Sequence, residues 1–78
     1  MTRVVLYARA GCHLCDEARA VILEVRASAP FAFEEIDIET ADELVRDYGV
    51  RIPVVAVDGE ELFEYSLSAA ALRAAVAG

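Results

Sequence analysis

The sequence predicts an α/β fold: a four-stranded mixed sheet flanked by helices on both faces, in the order β-α-β-α-β-β-α. Three observations carry this expectation. The apolar run Val4-Val5-Leu6-Tyr7 is followed by a stripe of Leu14, Ala18, Val21, Ile22 and Val25 with a period near 3.6. A second strand-like run over residues 31–38 completes a βαβ unit, whose strands are expected to be parallel and its crossover right-handed. Further on, Asp58-Gly59 between two strand-like runs is a strong two-residue hairpin signal.

The elements follow in order. The first strand covers residues 3–7, and Ala8-Arg9-Ala10-Gly11 forms the loop after it. Gly11 suits a tight strand-to-helix turn, where the backbone must bend or approach another group closely. The first helix is expected to fade near Ala27-Ser28, before Pro30. In the second strand Phe31 and Phe33 share one face and Ile36 and Ile38 the other, so both faces meet apolar layers. Its acidic residues Glu34, Glu35 and Asp37 predict an edge position.

Thr40-Ala41-Asp42-Glu43 reads as a capping box opening a short helix, with Leu44, Val45 and Tyr48 on its apolar side and Gly49 as its stop. The third strand is expected over Val50–Val57, with Pro53 near its start because proline cannot donate to a ladder. Glu60–Tyr65 forms the fourth strand. Ser66 or Ser68 then caps an alanine-rich helix whose Leu72 and Val76 face inward.

Composition bounds the function. The chain of 78 residues is one domain, 1–78, and its 58% apolar content suffices for a core. The net charge is -7, and every basic residue is arginine, which argues against nucleic acid and anionic membranes as partners. No run approaches the length of a membrane span, and residues 1–10 lack the apolar core of a signal peptide. With two cysteines there is no disulfide framework, so a reducing cytoplasm is the expected compartment.

Those two cysteines lie in Gly11-Cys12-His13-Leu14-Cys15, where the first strand hands over to the first helix. A helix N-terminus stabilises an anion through its unpaired N–H groups and its dipole. A thiolate is such an anion and is the species that attacks disulfides. The i, i+3 spacing places a second thiol within reach, so the pattern points to dithiol–disulfide chemistry. Asp16 and Glu17 in the first turn oppose the helix effect by like-charge repulsion. His13 has two readings: a cation favouring the Cys12 thiolate, or an exposed ring in water.

Other uses of the pair remain open at this level. Buried cysteines often serve as small hydrophobes. Cys-x-x-Cys is also half of a zinc site, but Cys12, Cys15 and the lone His13 fall short of four ligands. A metal or iron–sulfur cluster held between two subunits, and a non-catalytic adaptor, are the alternatives to an enzyme. Tyr7 and Tyr65 read as core or rim residues, and the acidic surface favours solubility or basic partner proteins.

The strand before Cys12-His13-Leu14-Cys15, the later Tyr48-Gly49-Val50-Arg51-Ile52-Pro53 and the Asp58-Gly59 hairpin together resemble a glutaredoxin-like member of the thioredoxin superfamily. The likeness covers essentially the whole chain and implies a thioredoxin-like fold. It implies a thiol–disulfide oxidoreductase with Cys12 as nucleophile and Cys15 as resolving thiol. Pro53 would be cis and face the cysteine pair, and the Ile52 backbone would be the edge on which a substrate strand docks. Arg9 stands where the family carries a basic residue before the first cysteine, and His13 lies within the motif.

Glutathione-using members carry a Gly-Gly and acidic segment after the last strand, where this chain has Glu64-Tyr65-Ser66-Leu67. The central dipeptide His13-Leu14 also differs from the Pro-Tyr of common glutaredoxins and the Gly-Pro of thioredoxins. The expectation is therefore no bound cofactor and weak or absent use of glutathione. The expected partners are disulfide-containing proteins as substrates and a thioredoxin-type reductase or another dithiol as donor.

Overall fold

A computed structural model of the chain describes residues 1–77. Its strands are β1 (Arg3–Ala8), β2 (Ala32–Asp37), β3 (Val54–Val57) and β4 (Glu60–Glu64), and its helices are α1 (His13–Ser28), α2 (Asp42–Tyr48) and α3 (Ala69–Ala77). They form one mixed sheet in the order β2-β1-β3-β4, with β2 parallel to β1 and the other neighbours antiparallel. This is a thioredoxin-like α/β fold. The acidic strand β2 lies at an edge, where its charged side chains reach water.

Strand alternation and register divide the sheet into two faces. Val4, Leu6 and Ala8 share a face with Val55 and Val57, and they pack with Cys15, Ala18, Ile22 and Val25 of α1 and Leu72 of α3. Ala18, Ile22 and Val25 fall on the expected helical stripe, but its first buried position is Cys15 rather than Leu14, which is exposed. On the opposite face Tyr7 stacks on Tyr48 of α2, with ring centroids 4.2 Å apart and planes 11° from parallel. Ile38 is fully buried, whereas α2 itself has no fully buried residue.

The hairpin turn forms as expected. Asp58 (φ 51°) and Gly59 (φ 86°) both adopt the left-handed conformation that a type I′ turn requires, and Asp58 accepts the Arg3 amide at 2.9 Å. Of the two candidate caps for α3, Ser68 takes the role: its hydroxyl accepts the Ala71 amide at 3.2 Å.

Several boundaries differ from expectation. Thr40 does not cap α2. The Asp37 carboxylate instead accepts the Glu39 amide at 2.9 Å and caps a short 3-10 turn, Ile38–Thr40, which commits the Thr40 hydroxyl to the Asp37 carbonyl at 2.7 Å. The N-cap of α2 is therefore Ala41, which has no capping side chain. Gly49 does end α2, but in a right-handed conformation, its amide donating to the Val45 carbonyl at 2.8 Å.

Strand β3 begins at Val54 rather than Val50. Residues 49–51 form a turn closed by the Arg51 amide on the Tyr48 carbonyl, and Pro53 stands just outside the ladder. Likewise β4 ends at Glu64, because Tyr65 turns into the left-handed region (φ 66°).

Candidate active site

The site is built at one end of the sheet. Tyr7, the penultimate residue of β1, pairs with Val54, the first residue of β3. The loop leading to Cys12 and the segment ending in Pro53 therefore leave adjacent strands at the same end. Gly11 (φ 78°) makes the turn into α1, and nothing lies within 4 Å of the position a Cβ would take. Conformation alone explains this glycine, not a close approach.

Cys12 is the N-cap of α1, and the Cys12 and Cys15 sulfurs form a disulfide. The Cys15 amide donates to Cys12 Sγ at 3.1 Å, and the Asp16 amide donates to the Cys12 carbonyl at 3.1 Å. The helix thus directs an N–H group at the outer sulfur, the arrangement that favours negative charge there once the bond is reduced. The two sulfurs are not equivalent: Cys15 is fully buried in the core, whereas Cys12 is partly exposed.

The first-turn acids are not left uncompensated. Arg19 donates to Asp16 at 2.9 Å and makes two bonds of 2.6 Å to Glu35 on β2. Glu35, and then Asp16, hold the guanidinium well above its ordinary pKa, so its charge is permanent. His13 Nε2 lies 3.0 Å from Glu17, on the exposed side of α1. These residues crowd one side of the motif, where Asp16, Arg19 and Glu35 join Arg9 and Asp37 around a cleft of about 210 Å³.

The candidate site residues separate into two groups. Cys12, Cys15, Ile52 and Pro53 gather at one end of the β1–β3 pair. Ile52 is half-buried against the core, Pro53 is buried, and the peptide bond between them is cis. Arg9 turns the other way, its guanidinium reaching Glu39 beyond β2 at 3.2 Å, and His13 turns outward to Glu17.

Sequence reasoning missed the groups that hold the 50–53 segment. Arg51 donates to Glu64 at 2.8 Å, to Glu61 at 3.2 Å and to the Asp47 carbonyl at 3.0 Å, and it lies over the Tyr48 ring. The Tyr48 hydroxyl donates to Glu61 at 2.7 Å. That bond pushes the Tyr48 phenol above its usual pKa and, together with Arg51, holds the Glu61 carboxyl below the ordinary carboxylate range. From the far side, Tyr65 bonds to the Pro53 and Val50 carbonyls. Apart from those of Arg51 with Asp47 and Tyr48, these contacts join residues at least 10 apart in the chain, which leaves no local signal.

Residues 3–77 match the glutaredoxin-like domain family (DUF836). The chain belongs to the glutaredoxin-like family. Two solved structures resemble it over nearly their whole length. A protein from X. campestris is 36% identical, with 91% of each chain covered and a TM-score of 0.77. One from Nitrosomonas europaea is 32% identical over 96% of this chain and 91% of its own, with a TM-score of 0.81. A thioredoxin from Halobacterium salinarum, 22% identical over 96% of this chain and 71% of its own, shares the fold with a TM-score of 0.71. This glutaredoxin-like protein therefore has a thioredoxin-like fold, and its Cys-x-x-Cys disulfide supports a redox role.

Among the described residues no helix is long and apolar enough to cross a membrane.

Proposed function

We propose that this protein is a thiol–disulfide oxidoreductase that reduces disulfides in protein substrates. The observation that carries the reading is the asymmetric pair: an outer sulfur at a helix N-cap receiving an N–H group, and an inner sulfur sealed in the core. In the reduced protein the Cys12 thiolate attacks one sulfur of a substrate disulfide. The Cys12–substrate bond forms as the substrate's own S–S bond breaks, releasing one substrate thiolate. The Cys15 thiol then loses its proton and attacks Cys12 Sγ, which closes the Cys12–Cys15 disulfide and frees the second substrate thiol. Two electrons pass from the protein to the substrate, and a donor dithiol returns them.

Ile52 supports a docking role beside this pair. Its neighbours are tied through their carbonyls, at Val50 and Pro53, whereas Ile52 makes no backbone–backbone hydrogen bond among the described residues. An extended substrate segment can take up those groups as an added strand. Arg9 and His13 would then meet the substrate only at the margins, since both are turned toward glutamates.

We expect no resident cofactor, a protein dithiol or thioredoxin-type reductase as donor, little use of glutathione, and residence in the cytoplasm. The test is capture of a mixed disulfide on Cys12 when Cys15 is replaced by serine.

A further inference from the structure

Tyr65 is held in a conformation that its residue type disfavours. With φ at 66° it occupies the left-handed region, which glycine enters freely and a residue with a Cβ does not. It is not buried: half of its surface is exposed, so no core packing compels the conformation. Two hydrogen bonds accompany it. Its amide donates to the Pro53 carbonyl at 2.9 Å, and its hydroxyl reaches across to the Val50 carbonyl at 3.0 Å. Both therefore end on the same four-residue segment, one on each side of Ile52.

A glycine here would keep the amide bond without strain, but it would lose the hydroxyl bond. Arg51 ties the middle of the segment to Asp47, Glu61 and Glu64, and what the tyrosine adds is an anchor at Val50 itself, which is 86% exposed and belongs to no strand. Disfavoured backbone at the edge of a site persists where the surroundings over-determine it, and here the two anchors do so.

We propose that Tyr65 is a positioning residue that fixes the Val50–Pro53 segment, so that the Ile52 backbone is presented at a constant spacing to an extended substrate chain. The inference rests on the disulfide-reductase reading and sharpens it. Tyr65 then matters for substrates that dock as a strand and not for small disulfides, which reach Cys12 without using the edge.

Steady-state reduction of insulin by the full chain, beside reduction of the small aromatic disulfide DTNB, separates the two roles. Tyr65→Phe removes only the hydroxyl. Loss of one neutral hydrogen bond corresponds to roughly a 2- to 12-fold change in an equilibrium, so the KM for insulin should rise by that factor. The kcat for insulin and the rate with DTNB should stay at wild-type values. Tyr65→Gly relaxes the backbone and should show the same split, with a melting temperature confirming that it is folded. If both variants are folded and keep the wild-type insulin-to-DTNB ratio, the positioning role is overturned while the reductase reading stands. If the wild type reduces neither substrate, both are overturned.

Discussion

Arg19 stands between Asp16, which the sequence places beside the reactive pair, and Glu35 on β2, and removing its charge tests how the site manages Asp16. Arg19→Gln deletes the 2.9 Å contact with Asp16 and the two 2.6 Å contacts with Glu35. The side chain is about one-third exposed, so each pair contributes at the surface scale of roughly 0.2–1 kcal/mol, and the two-pronged contact with Glu35 lies at the upper end. A stability loss of about 1–2 kcal/mol is expected, read as a lower urea midpoint with an unchanged slope.

The larger consequence is for Cys12. Once Arg19 is gone, Asp16 becomes an uncompensated negative charge in the first turn of α1, next to the sulfur that must ionise. A like charge four residues away costs roughly 0.2–0.5 kcal/mol, which lowers the thiolate fraction about 1.4- to 2.3-fold at a pH where the thiol form predominates. Thiolate absorbance near 240 nm, measured in a Cys15→Ser background so that Cys12 is the only thiol, reads this directly. Arg19→Gln should need a higher pH to reach the same absorbance, and adding Asp16→Asn should largely restore it. An unchanged or increased thiolate fraction in Arg19→Gln would refute the idea that Arg19 shields the site.

Three further outcomes concern the fold, two at Tyr48 and one at the hairpin. The phenol of Tyr48 is pushed above its ordinary pKa, so its contribution to stability is intact below about pH 10 and is lost as the pH rises past that value. Denaturant titrations should show the wild type losing stability at alkaline pH, and Tyr48→Phe should flatten that loss; an equal slope in both proteins would contradict it. Because Glu61 is held low chiefly by the same bond, Tyr48→Phe should also weaken the loss of stability on acidification. At the hairpin, Gly59 needs φ 86° but has open space around it, so Gly59→Ala carries only a backbone cost of about 1–2 kcal/mol. That is a sizeable part of the roughly 4–12 kcal/mol expected for 78 residues. Gly59→Asn should lose less, and equal urea midpoints for the alanine variant and the wild type would count against the turn assignment.

Local patterns account for what the sequence revealed. The helical stripe from Ala18 to Val25, the hairpin at Asp58-Gly59 and the acidic edge strand each depend on residues close together in the chain, and all three stand in the structure. So does the position of Cys12 at the start of a helix. What escaped depends on choices between competing partners. Thr40 was free to cap α2 or to bond to Asp37, and the 3-10 turn decided it. Arg51 and Tyr48 meet Glu61 and Glu64 only because the hairpin folds β4 back beside β3, a contact that no spacing in the chain announces. Tyr65 is harder still, since a tyrosine in a left-handed conformation contradicts its own preference.

The measurement that bears most directly on the proposed chemistry is a trapping experiment with two single variants. Each is fully reduced, mixed with a protein disulfide, quenched with acid and examined by mass spectrometry. Cys15→Ser keeps the backbone amide that faces Cys12 and should accumulate a covalent adduct on Cys12 after one turnover. Cys12→Ser leaves only the fully buried Cys15 and should form none, and it should not reduce insulin. An adduct on Cys15 in the Cys12→Ser protein, with none on Cys12 in its counterpart, would contradict the division of labour between the two thiols; no adduct on either, in protein shown to be folded and reduced, would contradict the oxidoreductase itself.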